Sequence, residues 1–250
     1  MDGCRRPGQR PERQHAAPLG ARGSSGVGRG GAINSTSPGS SCVRSATHSA
    51  AGARLNAGKG KTHRAYMWSY CTPSANPVKA VVFEFSETRS GENVRTFLNL
   101  DTPSAWKGTL VTDGFSGYAG CVDKGVTSAQ CMAHARRKFH ELWVNHGSEV
   151  GRKALRYFQS LFRIEREIED KASDERRRIR QRKSRRILAV LHRWLIAQRQ
   201  LVPQGSATMK AIDYSLKRWT ELTRFVGDGD IPISNNWVEN QIRPVAMTGS

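Results

Sequence analysis

The chain has 250 residues and carries 40 Lys and Arg against 21 Asp and Glu, which gives a net charge of +19. This excess favours a polyanionic partner, since each neutralised phosphate releases a condensed counterion, so nucleic acid is the expected partner and an anionic membrane surface the weaker alternative. No apolar run approaches the roughly 20 residues that span a bilayer, and the early arginines precede no apolar secretory segment. Five irregularly spaced cysteines favour the reduced thiols of a cytoplasm over a disulfide framework.

The first segment, residues 1–57, consists mainly of Gly, Arg, Ser, Ala and Pro, and the first Phe, Trp or Tyr of the chain is Tyr66. Such a composition cannot bury enough apolar surface to offset chain entropy, so we expect a disordered basic arm. The arm could lie on DNA. The alternative, which we favour, is that it is the out-of-frame translation of GC-rich DNA.

From residue 58 to 149 the pattern predicts strands interspersed with helices. The apolar spacing indicates strands at 66–70, 80–85, 108–112 and 128–132, and a helix over 91–100. A second helix follows the last strand and places four apolar residues on one side: Ala135, Phe139, Leu142 and Trp143. This alternation favours an α/β fold.

Residues 150–228 are predicted to be entirely helical, and residues 229–250 to form a closing helix. Three apolar stripes at helical spacing carry the first prediction: Val150, Ala154, Phe158, Leu161, Phe162 and Ile168; Ile187, Val190, Leu191, Trp194 and Leu195; Ile212, Leu216, Trp219, Leu222 and Val226. Gly and Asp at 227–230 interrupt the chain before Ser234, Asn235 and Asn236 open the closing helix.

Two carboxylates stand where chemistry is plausible. Asp113 ends a buried-type strand, where a side chain can reach a metal at the sheet edge, but Asp-Gly is also a common turn pair. Glu239 lies in the first turn of the closing helix, where Asn236 and Glu239 also form a capping-box pattern that satisfies helix-end amides.

Basic residues give the candidate DNA contacts. Arg136, Arg137 and Lys138 follow His134 on the first turn of a helix, and a phosphate contact there is as plausible as a solvated face. Residues 171–186 hold nine basic and two acidic residues, which predicts either a DNA-tracking ridge or a solvated helix. Cys131 and His134 could bind zinc, with Cys121, His140 and His146 as further ligands, although a second closely spaced pair is missing.

Four segments in order resemble the insertion sequence 66 family of bacterial transposases. The matching stretches are 58–66 (GKGKTHRAY), 112–118 (TDGFSGY), 131–139 (CMAHARRKF) and 235–244 (NNWVENQIRP). The resemblance implies a fold similar to ribonuclease H: a mixed sheet flanked by helices, first part 58–149, with a large helical insertion over 150–228.

The resemblance also implies DNA strand transfer by two-metal phosphoryl transfer. Asp113 would be the second and Glu239 the third of three carboxylates that hold two Mg²⁺ or Mn²⁺ ions. The implied partners are transposon ends and target DNA in a nucleoid-associated protein, with Arg243 joining the candidate DNA contacts and assembly into a homo-oligomer left open.

This chain departs from the family at the first carboxylate. The family has Asp-Glu-Thr-Pro on its first central strand, whereas residues 49–56 here contain no acid, and Ser234 stands where the family commonly has Asp. A frame shift before about Leu55 explains both the arm and the lost Asp. We therefore expect a DNA transposase catalytic domain with impaired catalysis; the alternative is a non-enzymatic basic nucleic-acid-binding protein.

Overall fold

A mixed five-stranded sheet organises the computed structural model, which describes residues 45–56, 61–73, 76 and 78–247. The strands are β1 (Ser45–Asn56), β2 (Thr62–Cys71), β3 (Val81–Ser86), β4 (Thr109–Thr112) and β5 (Thr127–Gln130), in the order β3-β2-β1-β4-β5. Strands β1, β2 and β3 pair antiparallel, and β4 runs parallel to both β1 and β5. The four strands predicted from the sequence are confirmed as β2 to β5.

Strand β1 corrects the expectation that residues 1–57 are disordered, because residues 45–56 form the central strand. It pairs with β2 from Thr47 opposite Cys71 to Asn56 opposite Thr62, and with β4 at its start. Composition missed it because small side chains supply little apolar area, whereas pairing with β2 over residues 47–56 and with β4 over residues 45–47 satisfies much of the backbone of this strand. Residues 1–44 and 57–60 lie outside the described residues.

The predicted α/β class is confirmed by helices that flank the sheet. They are α1 (Gly91–Phe97), α2 (Ala119–Val122), α3 (Met132–His146), α4 (Glu149–Glu167), α5 (Ser173–Ile179), α6 (Arg185–Leu201), α7 (Ala207–Lys217), α8 (Trp219–Thr223) and α9 (Asn236–Met247). A π-helical turn, Arg180–Ser184, joins α5 to α6, and short 3-10 turns precede α2 and follow α8. No helix in the described ranges is long and apolar enough to cross a bilayer.

Two apolar cores lie on the two faces of the sheet. Alternate residues of β4 point to opposite cores: Leu110 packs with Trp68, Tyr70 and α1, whereas Val111 packs with the helices from α3 onward. The helical region 150–228 therefore shares its core with the sheet. Two apolar residues of the predicted stripes are exposed instead, Trp143 and Val190, at 43% each.

The basic segment 171–186 contains buried arginines, which a charge run does not suggest. Arg180 donates to the Glu165 carboxylate at 2.6 Å and to the carbonyls of Phe225, Asp228 and Ile231 at 2.8–3.0 Å. Arg176 donates to the Gly229 carbonyl at 2.9 Å. These two side chains join α5 and the π-helical turn to the chain between α8 and α9, so at most the exposed remainder of the segment is available to a ligand.

Candidate functional site

Asp113 lies immediately after β4, at the sheet edge where the sequence placed it. Its Oδ2 is 3.2 Å from an Nη of Arg89, and its Oδ1 accepts a hydrogen bond from the Phe115 amide at 3.1 Å. Gly114 has a φ of +82°, so Asp113 also shapes the turn that the Asp-Gly pair suggested. The carboxylate is thus paired with a cation of its own chain.

Glu239 projects from the first turn of α9 toward α3. Its Oε1 is 3.5 Å from Nε2 of His134, and its Oε2 is 4.0 Å from an Nη of Arg137. The capping-box interpretation needs correction: the helix begins at Asn236, so Asn235 takes the N-cap position, and its carbonyl accepts from the Glu239 amide at 3.1 Å. The Glu239 side chain therefore contacts another helix rather than the end of its own.

His134, at the start of α3, contacts one of the two acids, Glu239. Burial lowers the pKa of its imidazole, while the negative charges of Glu239 and, further away, Asp113 raise it. The Cys131 amide donates to the Thr112 carbonyl and the Met132 amide donates to the Ile233 carbonyl, both at 2.9 Å, so the start of α3 lies beside the end of β4 and beside the loop before α9. The structure thus brings Asp113 and Glu239 to one region, and the roles predicted for them stay predictions.

His48 on β1 is a member of this region that the sequence did not suggest. Its imidazole is fully buried between Trp68 and Tyr70, and its Nδ1 lies 2.7 Å from the Tyr118 hydroxyl. Burial, reinforced by the nearby Arg89 charge, lowers the pKa of His48 to about 3, so the ring is neutral. A lone histidine among small residues carries no sequence signal for such a position.

His48 is also close to both acids through the backbone. Its neighbour Thr47 stands opposite Val111 in the parallel pairing, which brings His48 beside the end of β4, where Asp113 follows. Its carbonyl accepts a 3.1 Å hydrogen bond from the Asn235 side chain, one turn before Glu239. A neutral imidazole on the central strand thus occupies the surroundings of the two candidate acids.

The donor atoms here do not fit a pair of divalent cations. Residues 45–56 of β1 include no carboxylate, and the two carboxylates present already lie against Arg89, His134 and Arg137. Across the described ranges, no three His, Cys, Asp or Glu side chains form a metal-holding group. Cys131 and His134 therefore lack a third ligand for zinc in the described part of the chain.

The predicted DNA contacts all lie at the surface. Arg136, Arg137 and Lys138 are exposed on the first turns of α3, and Arg243 is exposed on α9. Arg136 lines a groove between α3 and α4, whereas Arg137 approaches Glu239. Exposure makes these side chains available to a phosphate, which their sequence positions alone did not establish.

Comparison with known proteins gives a family match. The model described as "Transposase IS66 family" matches residues 51–249. Three uncharacterized proteins of Sinorhizobium fredii are similar: y4hP is 33% identical over 185 residues (67% of this chain, 33% of that protein), y4qI is 31% identical over 206 residues (78% and 37%), and y4jD is 30% identical over 206 residues (78% and 39%). The chain therefore spans little more than a third of the length of these relatives, and no solved structure matches.

Proposed function

Because the chain belongs to the IS66 family of transposases, we propose that it is part of a transposase catalytic domain that binds DNA but is impaired in strand transfer. The family's chemistry is DNA transposition by phosphoryl transfer, on transposon ends and target DNA in the bacterial cytoplasm. A ribonuclease H-like fold is supported by the sheet order β3-β2-β1-β4-β5, with three antiparallel strands on one side and parallel strands on the other.

One observation supports the proposed impairment: at the sheet edge a carboxylate is missing from β1, and Asp113 is paired with an arginine. Phosphoryl transfer of this type is catalysed almost entirely by positioning and by neutralising charge, so a missing metal ligand is severe. Here residues 45–56 of β1 include no carboxylate, and Asp113 is paired with Arg89 at 3.2 Å. We assign Asp113 and Glu239 as the retained catalytic pair of an incomplete site.

DNA binding is supported by the charge balance and by the exposed cations. The net charge is +19, and four exposed cations lie on α3 and on α9, the helix that carries Glu239: Arg136, Arg137, Lys138 and Arg243. Contacts of this kind go to phosphates, hold the DNA in place and carry little sequence information. The proposed binding is therefore salt-sensitive and weakly specific.

The test uses the purified chain with a labelled duplex and a supercoiled plasmid. We expect the duplex affinity to fall steeply as salt rises, and little nicking or joining of plasmid in Mg²⁺ or Mn²⁺. Efficient joining that Asp113→Asn abolishes would overturn the impairment, and duplex binding insensitive to salt would overturn the DNA assignment.

The pairing of both acids with cations favours a second candidate, a non-enzymatic basic nucleic-acid-binding protein. Titration with Mn²⁺, followed by water-proton relaxation, separates the two. A retained catalytic pair binds Mn²⁺ weakly and loses it in Asp113→Asn and in Glu239→Gln. A chain that only binds nucleic acid shows no Mn²⁺ binding that depends on these residues, and Glu141→Gln, an exposed acid of α3, serves as the matched control.

A further inference from the structure

An open groove of about 590 Å³ lies between α3 and α4 and has a basic lining with one exposed indole. Its functional side chains are Arg136, His140, Trp143, Arg152, Arg156 and Arg166. We propose that this groove binds a single strand or a locally unpaired stretch of DNA, with the arginines on the phosphates and Trp143 stacked on a base. The proposal rests on the proposed DNA binding and specifies the form of DNA and the surface.

The charges of the groove are available to a ligand. Arg136, Arg156 and Arg166 are exposed, and none of them makes an ion pair with another described residue; Arg152 alone pairs, with Glu149 at the outer end. No acidic side chain of the described chain lines the groove. Guanidinium groups match phosphate oxygens in a two-bond geometry, so unpaired arginines that converge on one groove favour a phosphodiester backbone.

Trp143 supplies the second, independent feature. It is 43% exposed although the rest of the apolar side of α3 is buried, and it meets His140 edge-on with ring centroids 6.2 Å apart. The two rings are tilted by 74°, and in this arrangement His140 can cover one indole face at most, so His140 leaves at least one face open for stacking. Stacking platforms set in basic grooves are the usual way in which proteins hold single strands with little sequence preference.

The dimensions favour a strand over a duplex. Helices α3 and α4 approach closely at Gly151, where a Cβ would come within 2.8 Å of the Phe139 carbonyl oxygen. Packed helices have axes about 8–10 Å apart, so the surface groove between them is narrow. A volume within the range of about 300–1,000 Å³ that holds small ligands suits nucleotides of an unpaired strand.

The position of the groove links it to the candidate acids. Its inner end is lined by Ala133, next to His134, and by Asn236 at the start of α9, one turn before Glu239. A strand lying along the groove is therefore directed toward the region of Asp113 and Glu239. The exposed cations and the exposed indole thus lie along the path that such a strand would take.

The first experiment measures the affinity of the full chain for a fluorescent single-stranded oligonucleotide and for the duplex of the same sequence, by anisotropy. Trp143→Ala is expected to weaken single-strand binding about 5–150-fold, the range for loss of one stacked base, and to leave duplex binding nearly unchanged. Trp143→Phe should retain most of the affinity. Leu201→Ala, which removes a side chain that is 75% exposed on α6, is the control and should change neither affinity.

The second experiment measures the salt dependence. Replacing Arg156 and Arg166 with Ala should make the slope of log affinity against log salt shallower by about 1.4 for the single strand, from about 0.7 per phosphate contact. The control replaces Arg186 and Arg193, exposed on α6 and unpaired among the described residues.

The outcomes separate this proposal from the proposed function. Unchanged single-strand affinity in Trp143→Ala, or an equal slope change in the control pair, overturns the groove while salt-sensitive duplex binding still supports the transposase assignment. Failure of the wild-type chain to bind either DNA overturns both.

Discussion

Arginines are buried and bonded within the chain in the π-helical turn, but exposed in the groove between α3 and α4. In the π-helical turn after α5, Arg180 is 3% exposed and satisfies a carboxylate and three carbonyls, and Arg176 is buried beside it. In the groove between α3 and α4, Arg136, Arg156 and Arg166 are exposed and without ion pairs among the described residues. A high count of basic residues therefore does not locate a ligand surface; the partners of each cation within the chain do.

The largest effect should come from removing the central cation of the first region. Arg180→Ala leaves Glu165, whose side chain is 13% exposed, without its partner, and it also leaves three carbonyls without a donor. Breaking a buried ion pair from one side costs about 3–5 kcal/mol, because the remaining charge is not solvated. Urea denaturation followed by circular dichroism measures the change in the free energy of unfolding.

The matched control is Arg182→Ala, two positions along the same turn. Arg182 is exposed and has no ion pair in the described chain, so its removal should change the free energy of unfolding by no more than about 0.5 kcal/mol. Equal losses in the two variants would mean that the buried and exposed arginines do not differ as the contacts indicate.

His48 extends the comparison to the sheet, since it is a buried base without a carboxylate bonded to it in the described chain. The groups that face it are Arg89, Tyr118 and Tyr70, and burial followed by the Arg89 charge lowers the pKa of His48 to about 3. In the unfolded chain His48 is protonated below about pH 6.5, whereas in the folded chain it stays neutral down to about pH 3. The free energy of unfolding therefore falls as the pH is lowered from about 6.5 to about 3.

His48 is expected to lower the free energy of unfolding by about 2 kcal/mol when the pH is brought from about 8 to about 5. His48→Gln should be less stable at neutral pH if it disturbs the contact with Tyr118, but it should lose this part of the pH dependence. Denaturation of both proteins across the pH range gives the difference in slope. Parallel pH profiles would show that His48 is not held neutral.

The strands and helices that could be predicted were those with large apolar residues at regular spacing. Strand β2, with buried Trp68 and Tyr70, and α4, with buried Ala154, Phe158 and Leu161, follow directly from periodicity. Strand β1 has no such pattern; it is held by backbone pairing with β2 over residues 47–56 and with β4 over residues 45–47. Local composition does not represent these pairings, which join residues from 6 positions apart (Asn56 and Thr62) to 64 positions apart (Thr47 and Val111), and β1 therefore appeared as part of an arm.

The candidate site shows the same limit. The positions of Asp113 after β4 and Glu239 on the closing helix followed from strand and helix signals, but their partners Arg89 and His134 come from other segments. Arg176 and Arg180 likewise looked solvated because a charge run gives no sign of Glu165 or of the carbonyls they bind. The sequence therefore predicts where Asp113 and Glu239 lie along the chain, but only the tertiary contacts show which charged side chains are paired.

The smallest expected effect is inside the groove, where, among the described residues, Arg152 is the one lining arginine with an ion-pair partner. Glu149, 74% exposed, accepts hydrogen bonds from Arg152 at its outer end. Glu149→Gln should leave stability unchanged, since exposed ion pairs contribute little. It should free Arg152 for a phosphate and so steepen the single-strand salt slope by about 0.7. Adding Arg152→Ala to this variant should reverse the increase in the salt slope. Glu141→Gln on α3 changes the net charge by the same amount without affecting Arg152. An equal increase in the salt slope in Glu141→Gln would mean that ion pairing does not govern which arginines contact DNA.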